Sequence, residues 1–438
     1  MFYGWWDWRF LGLLAASTLV DYSVGRRMEA SVGTPVARRL LWTSIGFNLG
    51  ILGLFKYANF FVDSAAALAE SVGFEPNTPT LNVLLPVGIS FYTFQTMSYT
   101  FDIYRGRIPA CRSLVTFAAY VSYFPQLVAG PIERAQRLLP RIETVDRVRP
   151  VGVDRDLAFS LILVGLVKKV VIADGLAPLV NSFYDDPSSA GFLPAVVALI
   201  AFSFQIYGDF SGYTDIARGV SKLLGIDLMV NFREPYLSRN ITEFWRRWHI
   251  SLSDWLRDYL YIPLGGNRGS SFATYRNLLL TMLLGGLWHG ASWNFVIWGA
   301  LHGAYLAILR RRHTGTLNMS DRVSRYDLPT IVMTFVVVTL TWVPFRAATL
   351  ADTGEVFAAL TRFEGSLALA DLALLLTLST LAIIIDVMQR RQSLAWRKRQ
   401  EEGLISRPLV NHLVIAMAVA ALFVFSGRES EPFIYFQF

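Results

Sequence analysis

The sequence contains a single cysteine and few charged residues. Of its 438 residues, only 17% are Asp, Glu, Lys or Arg, whereas 53% are hydrophobic and 14% are aromatic. A soluble chain carries about a quarter charged residues, so this deficit predicts a surface that faces lipid. The lone Cys111 leaves no intramolecular disulfide and no cysteine cluster with the spacing of a zinc site. We therefore expect a polytopic membrane protein, and we expect no bound metal.

Several motifs that would identify common enzyme classes are also missing. There is no Walker A loop, no G-x-G-x-x-G, no H-E-x-x-H and no G-x-S-x-G. Their absence argues against an ATP-driven pump, a nicotinamide enzyme, a zincin and a serine hydrolase of the usual form. No secretory signal peptide, internal repeat or low-complexity tract is visible, so we expect one membrane domain over residues 1–438.

The net charge of +7 comes from basic residues that lie mainly between apolar stretches. A span needs roughly 20 mainly apolar residues. The candidate spans are residues 10–24, 40–62, 81–101, 157–177, 194–216, 329–349, 369–388 and 408–426. Arginine-rich connections follow the first, third and seventh stretches, whereas acidic connections follow the second and fourth. The positive-inside rule accounts for this alternation better than nucleic-acid binding does, and it predicts an extracytoplasmic C-terminus.

Two further apolar stretches fit this topology only if they do not cross completely. Residues 113–130 have basic segments on both sides, which favours a re-entrant segment. Residues 277–309 lie between Arg276 and Arg310, and 33 residues are too few for two full crossings. We expect a broken or re-entrant helical hairpin there, because its glycines would tolerate non-helical backbone. The fold class is thus an all-α transmembrane bundle of about eight spans with additional re-entrant or broken helices.

The hydrophilic insert at about 217–276 is predicted to be cytoplasmic or interfacial. Asn240-Ile-Thr-Glu243 resembles a capping box, so a helix should begin near Ile241. Aromatic and aliphatic residues recur at spacings of three and four from Phe244 to Tyr259, which predicts one continuous helix with a broad aromatic face. Such a helix would lie along the membrane interface.

Two of the five histidines, His249 and His289, lie forty positions apart in this apolar chain. An ionisable side chain at membrane depth is costly, so it is read as functional by default. A buried neutral imidazole can accept a proton and act as a general base. The alternatives are a packing histidine that bonds a carbonyl for His289 and a solvated histidine for His249. The remaining three, His302, His313 and His412, have weaker claims.

The sequence His249-Ile-Ser-Leu-Ser-Asp254 also matches the H-x-x-x-x-D pattern of soluble and monotopic glycerolipid acyltransferases. On a helix those two residues lie about 140° apart, so we discount this match.

The insert is rich in arginine, including Arg233 and Arg246. These residues fit either contacts with anionic lipid or a mouth that binds a phosphate-bearing donor such as coenzyme A. Asp209 and Asp215 lie near the end of a span with Tyr213 between them. They could pair with the arginines or help to bind substrate, and the sequence leaves both possibilities open.

Four long motifs stand out in the chain. They are Phe244-Trp-Arg-Arg-Trp-His-Ile-Ser-Leu-Ser253, Leu284-Gly-Gly-Leu-Trp-His-Gly290, Tyr123-Phe-Pro-Gln-Leu-Val-Ala-Gly-Pro-Ile-Glu133 and Pro432-Phe-Ile-Tyr-Phe-Gln-Phe438. Together they resemble the membrane-bound O-acyltransferases, and most closely the bacterial alginate O-acetylation branch of that family. The resemblance covers nearly the whole chain.

The resemblance implies specific roles. His289 matches the catalytic histidine, and His249 matches a second polar active-site position that is Asn, Asp or His in different branches. It also implies a tunnel across the bilayer and a thioester donor on the cytoplasmic side. Members of the family usually have a further hydrophobic helix before the point where this chain begins, so we expect the N-terminus of this sequence to be truncated or misassigned. With the two histidines, we predict a set of substrate-binding residues: Trp245, Arg246, Trp248, Asp209, Tyr213, Trp288, Asn294 and Arg233.

We therefore expect a bacterial inner-membrane enzyme that uses acetyl-CoA, without a permanently bound cofactor, to O-acetylate an exopolysaccharide such as alginate. Its expected partners are an extracytoplasmic polysaccharide acetyltransferase and membrane lipid, and not nucleic acid. Two alternatives remain open. One is acylation of peptidoglycan, teichoic acid or cellulose, and the other is a proton-coupled transporter, although transporters often show matching halves that this sequence lacks.

Overall fold

The computed structural model describes residues 3–5, 7–74, 84–144, 154–312, 324–402, 408–425 and 431–434, and the regular structure in these residues is helical. The α-helices are α1 Arg9–Glu29, α2 Pro35–Leu52, α3 Ala58–Ser71, α4 Ile89–Tyr104, α5 Leu114–Val121, α6 Phe124–Leu127, α7 Ala135–Thr144, α8 Arg155–Leu166, α9 Asp174–Asp185, α10 Phe192–Leu223, α11 Ile241–Trp245, α12 Ile250–Leu256, α13 Ser271–His289, α14 Trp293–Arg312, α15 Leu328–Arg346, α16 Leu350–Ala359, α17 Leu369–Glu402 and α18 Pro408–Phe425. Single π-helical segments link α2 to α3 (Gly53–Tyr57) and α8 to α9 (Val167–Ala173), and a third, Arg257–Tyr261, follows α12.

A helix is present at each of the eight predicted spans, which confirms the all-α membrane fold. Among the described residues, four helical stretches are long and apolar enough to cross a membrane. They are Pro35–Ser71, Phe192–Leu223, Leu328–Arg346 and Leu369–Gln389. The stretch 113–130 forms only α5 and α6, of eight and four residues. At 1.5 Å per residue neither helix is long enough to cross.

The chain divides into two compact units, one of which is built mainly from residues 1–154. In this unit α1, α2 and α4 bury polar side chains against one another. The Asp21 carboxylate accepts hydrogen bonds from Ser44 Oγ at 2.6 Å and Asn48 Nδ2 at 2.8 Å. Ser17 Oγ donates to Asn48 Oδ1 at 2.9 Å. Since hydrocarbon offers no water to these groups, their partners must come from neighbouring helices. These bonds join α1 to α2, and Ser44 Oγ also lies 3.0 Å from Thr100 Oγ1 of α4.

The other unit comprises residues 155–219, 230–289 and 293–438. Here glycines bring the α8–α9 segment close to α10. A Cβ atom at Gly212 would lie 2.7 Å from the Gly165 carbonyl oxygen, and one at Gly219 would lie 2.6 Å from that of Ala158. Small residues at such positions let two membrane helices approach through their backbones. The prediction of one domain over residues 1–438 stays a prediction.

Helices α13 and α14 form the hairpin that the sequence predicts, but both helices are unbroken. They have 19 and 20 residues, about 28 and 30 Å, and only residues 290–292 join them. The glycines of the hairpin let the two helices pack closely, and they do not mark the irregular backbone that the sequence predicts. A Cβ atom at Gly286 would lie 2.2 Å from the Phe295 carbonyl oxygen, and one at Gly299 would lie 2.3 Å from that of Met282. His289, the last residue of α13, is thereby held at the tip of the hairpin.

Replacing Gly286 or Gly299 by alanine should separate the two hairpin helices, because the new methyl group would collide with backbone that cannot rotate away. Overpacking of this kind costs about 1–3 kcal/mol. We expect a lower melting temperature for each purified variant in detergent. Gly354→Ala in α16 is the control, since nothing lies within 4 Å of its Cβ position. Equal melting temperatures for all three variants would contradict the close-packing role.

Candidate active site

The first element of the site is the helix start that the sequence predicts at Ile241. Asn240 Oδ1 accepts a hydrogen bond from the Glu243 backbone N–H at 2.9 Å, which confirms the N-cap. The Glu243 carboxylate does not complete a capping box on Asn240. It accepts from the backbone N–H of Arg239 at 3.0 Å and from the guanidinium groups of Arg239 and Arg247, each at 2.9 Å.

The predicted continuous helix through residue 259 is wrong, because α11 ends at Trp245 and α12 begins at Ile250. Between them His249 adopts left-handed backbone angles, φ 43° and ψ 55°. A non-glycine residue in this region costs about 1–3 kcal/mol, so surrounding contacts must hold it there. The pairing of Arg247 with Glu243 and Glu234, at 2.9 and 3.1 Å, supplies part of that constraint.

The aromatic side chains of this segment do not lie along an interface. Phe244 and Trp248 are fully buried and stack on each other with ring centroids 5.5 Å apart. Trp248 also contacts Trp342 of α15 at 5.1 Å. Because the helix is broken between α11 and α12, these rings point toward the protein core. The prediction of an aromatic face along the membrane interface is therefore wrong.

Asn231 holds the turn from the preceding segment. Its backbone oxygen accepts from Ile250 N–H at 2.9 Å. Its Oδ1 atom accepts from the N–H and Oγ of Ser251, at 3.1 and 2.9 Å, and lies 3.2 Å from His249 Nδ1. Burial lowers the pKa of His249 to about 3, so its imidazole is neutral at physiological pH.

Trp288 brings the two candidate histidines to one place. Its indole ring lies 5.9 Å from the His249 ring and 5.1 Å from the His289 ring, centroid to centroid. His289 is also enclosed by Trp298 of α14 at 5.1 Å and Phe345 of α15 at 5.3 Å. Both imidazoles are buried and contact the same indole ring, and their role as one site stays a prediction.

Unlike His249 and His289, His302 is expected to have a structural role, because both of its ring nitrogens have hydrogen-bond partners within the protein. Its Nδ1 accepts from Trp245 Nε1 at 3.3 Å, and its Nε2 lies 3.0 Å from Thr341 Oγ1. Since the Thr341 hydroxyl donates to the Val338 carbonyl, Nε2 carries the hydrogen and donates to Thr341. Both ring nitrogens are thus engaged, and the His302 ring packs on Trp298 at 4.7 Å. His313 lies outside the described residues, as does the side chain of His412.

The carboxylates on α10 pair with lysines that the sequence analysis did not single out. Asp215 binds Lys168 at 2.8 Å, and Asp209 binds Lys169 at 2.9 Å. Asp209 Oδ2 also accepts from the Ile434 backbone N–H at 2.6 Å. These lysines lie inside the predicted span 157–177, where an ionisable residue by itself signals a buried partner.

The other predicted substrate-binding residues have varied surroundings, and their role stays a prediction. Asn294 donates to the Ala347 carbonyl at 2.7 Å, which ties the start of α14 to the end of α15. Tyr213 stacks on Phe433 at 5.2 Å. Arg233 and Arg246 are exposed, and Trp245 is partly buried beside His302.

Two contributors to the site were missed, and their signals differ in strength. Trp298 lies four residues before His302 on α14, and that spacing places both on one helix face. Asn231 gave no signal, because an isolated asparagine in an irregular segment matches no motif. Within the described residues, no group of three or more His, Cys, Asp or Glu side chains is placed to hold a metal ion.

The fold and the paired imidazoles define a multi-pass helical membrane protein with two candidate proton acceptors at one place. Its sequence matches the profile of the membrane-bound O-acyltransferase family over residues 108–346. The chain belongs to that family and is an acyltransferase.

Three relatives show how far the similarity extends. The chain is 42% identical to a probable alginate O-acetylase, AlgI, of Azotobacter vinelandii, over 100% of this chain and 93% of the relative. It is 37% identical to a peptidoglycan O-acetyltransferase of Helicobacter pylori, over 83% and 72% of the two chains. It is 29% identical to a teichoic acid D-alanyltransferase of Streptococcus thermophilus, over 54% and 61%.

The buried pair of Lys168 and Asp215 should stabilise the fold only as a pair. Asp215→Leu leaves the ammonium group of Lys168 buried without its ion-pair partner, and such a change costs about 3–5 kcal/mol. We expect a large fall in melting temperature and in membrane accumulation, which the double variant Lys168→Met/Asp215→Leu partly restores.

The control for this pair is Asp227→Ala. Its partner is Lys222, and the Asp227 side chain is 60% exposed, so the change should be small. A double variant no more stable than Asp215→Leu would contradict the pairing.

Proposed function

We propose that the protein is a bacterial inner-membrane O-acetyltransferase that moves acetyl groups from cytoplasmic acetyl-CoA for the O-acetylation of an exopolysaccharide such as alginate. The observation that carries this proposal is the convergence of two buried imidazoles on Trp288. The full-length identity of 42% to a probable alginate O-acetylase supports the choice of acetyl group and polymer.

The proposed reaction is one acyl transfer. His289 takes the proton from an acceptor hydroxyl as its oxygen attacks the thioester carbonyl carbon. The new C–O bond forms and the C–S bond breaks, so the coenzyme A thiolate leaves and is protonated by the imidazolium of His289. His249, which contacts the same indole ring, assists by orienting the bound acceptor beside Trp288. The surrounding aromatic rings exclude water, which would otherwise hydrolyse the thioester.

We propose that the acetyl group passes to the polymer through a partner protein. An extracytoplasmic polysaccharide acetyltransferase would receive the acetyl group and pass it to the polymer. Peptidoglycan is the second candidate polymer, and the 37% identity to the Helicobacter relative favours it. Teichoic acid is less well supported, because that similarity covers only 54% of this chain.

The charge distribution of the insert suggests where the donor binds. Arg239, Arg247 and Arg257 already form ion pairs with carboxylates. Arg233 and Arg246 are exposed and form no ion pair with a described residue. Their guanidinium groups are therefore available for the phosphates of acetyl-CoA, which arginine binds in bidentate geometry.

His289→Ala should lower acetyl-CoA turnover by at least about 100-fold, because it removes the general base. The measurement is release of free CoA by protein in nanodiscs, supplied with acceptor. His302→Gln is the control, since glutamine can accept from Trp245 and donate to Thr341. Turnover retained in a folded His289→Ala protein would overturn the mechanism, and wild-type protein that releases no CoA would favour the transporter alternative.

Arg233→Gln and Arg246→Gln should each raise the KM for acetyl-CoA about fivefold, equivalent to ~1 kcal/mol for an exposed charged contact. The kcat should change little, because neither residue touches the reacting atoms. Arg257→Gln is the matched control, as its guanidinium is held by Asp254 and Asp258 at 2.6 and 2.7 Å.

Acetyl-pantetheine, which lacks the nucleotide phosphates, separates charge recognition from other effects. The two arginine variants should not differ from wild type with this donor. An equal rise in KM for both donors would contradict a phosphate contact.

A further inference from the structure

We propose that Asn231 is a positioning residue that fixes the proton of His249 on Nδ1 and so leaves Nε2 as the nitrogen that accepts a hydrogen bond or proton in the site. This inference rests on the proposed function, in which His249 assists the acyl transfer. Asn231 lies outside all four sequence motifs and is fully buried.

The atom of the Asn231 amide that faces His249 is the carbonyl oxygen. That atom also lies 3.1 Å from the backbone nitrogen of Ser251. A backbone N–H can only donate, so its partner must be the carbonyl oxygen and not the NH2 group. The usual ambiguity between the two ends of an asparagine amide is thereby removed.

This oxygen determines the tautomer of His249. His249 Nδ1 lies 3.2 Å from the same oxygen, Oδ1 of Asn231. Two lone pairs facing each other at this distance would repel, so Nδ1 must carry the hydrogen and donate it. In a neutral imidazole the other nitrogen then holds the lone pair. His302 has the opposite assignment, with the hydrogen on Nε2.

Backbone hydrogen bonds from the segment around Asn231 also hold the turn that contains His249. Asn231 O accepts from Ile250 N–H at 2.9 Å, and Arg233 N–H donates to the Arg247 oxygen at 2.9 Å. These bonds bracket His249 and hold its left-handed conformation. The ring itself packs edge-on against Phe210, with centroids 4.7 Å apart. The segment from Asn231 to Arg233 thus sets the tautomer and the backbone of His249, and Phe210 of α10 packs against its ring.

This arrangement sets which hydrogen-bonding group His249 presents to the site. The Nδ1–H bond to the Asn231 oxygen leaves the lone pair of the neutral ring on Nε2. Without that acceptor the hydrogen would move to Nε2, and the ring would present a donor where the site needs an acceptor.

The test uses Asn231→Ala and Asn231→Asp. The alanine variant loses the acceptor, whereas aspartate retains an oxygen for Nδ1–H. We expect kcat to fall about 10- to 100-fold in Asn231→Ala, which is less than the roughly 10²- to 10⁴-fold that a general base itself contributes. The KM for acetyl-CoA should stay unchanged, and Asn231→Asp should recover most of the rate.

The decisive readout is the tautomer, measured by ¹⁵N NMR of histidine-labelled protein in nanodiscs, with the His249 signals assigned by their loss in His249→Asn. Wild type and Asn231→Asp should show Nδ1–H, and Asn231→Ala should shift toward Nε2–H. Ser251→Ala should keep Nδ1–H, because its backbone N–H still orients the amide. Nε2–H in the wild type, or an unchanged tautomer in a folded Asn231→Ala protein, would overturn the proposal.

A catalytic role of His249 and the tautomer of its ring can be tested separately. If His249→Ala turns over acetyl-CoA normally, the catalytic part of the proposed function is lost and Asn231 has no role in the rate. An Nδ1–H signal that depends on Asn231 would still support the tautomer assignment in that case.

Discussion

The structure depends on one constraint, namely that polar groups at membrane depth must find their partners inside the protein. Lys168 and Lys169 meet Asp215 and Asp209 across two helices, and Asp21 meets hydroxyl and amide groups of α2. Each contact fixes the register of one helix against another, because a shift by one residue would leave a charge unpaired at a cost of several kcal/mol. Polar residues therefore specify the packing that an apolar surface alone would leave loose.

The candidate site follows the same logic with imidazoles. His289 lies at a helix end that close glycine contacts between α13 and α14 keep in place, and His249 lies in a turn held by Asn231. The two histidines contact Trp288 from different elements. One is positioned by backbone packing and the other by hydrogen bonds, so the geometry of the pair does not rest on a single contact.

The sequence predicted the elements better than their junctions. Helix positions follow from apolar length, and the start at Ile241 follows from the Asn240 cap, since both are local properties. The break before Ile250 depends on Arg247 reaching Glu234, thirteen residues earlier, and on Asn231. The aromatic spacing matched a continuous helix equally well. Contacts between distant positions leave no periodic pattern, which is why Asn231 and the lysine partners of the α10 carboxylates were missed.

The contacts of residues 431–434 have a consequence for biosynthesis. Asp209 binds the Ile434 N–H across 225 positions, and Lys169 donates to the Glu431 carbonyl across 262. When Lys169 and Asp209 leave the ribosome, those backbone partners have not been translated. Lys169 and Asp209 can pair with each other earlier, but these two backbone contacts form only after residues 431–434 have been made. Synthesis of residues 431–434, and not insertion of α10, is the event that completes this set of contacts.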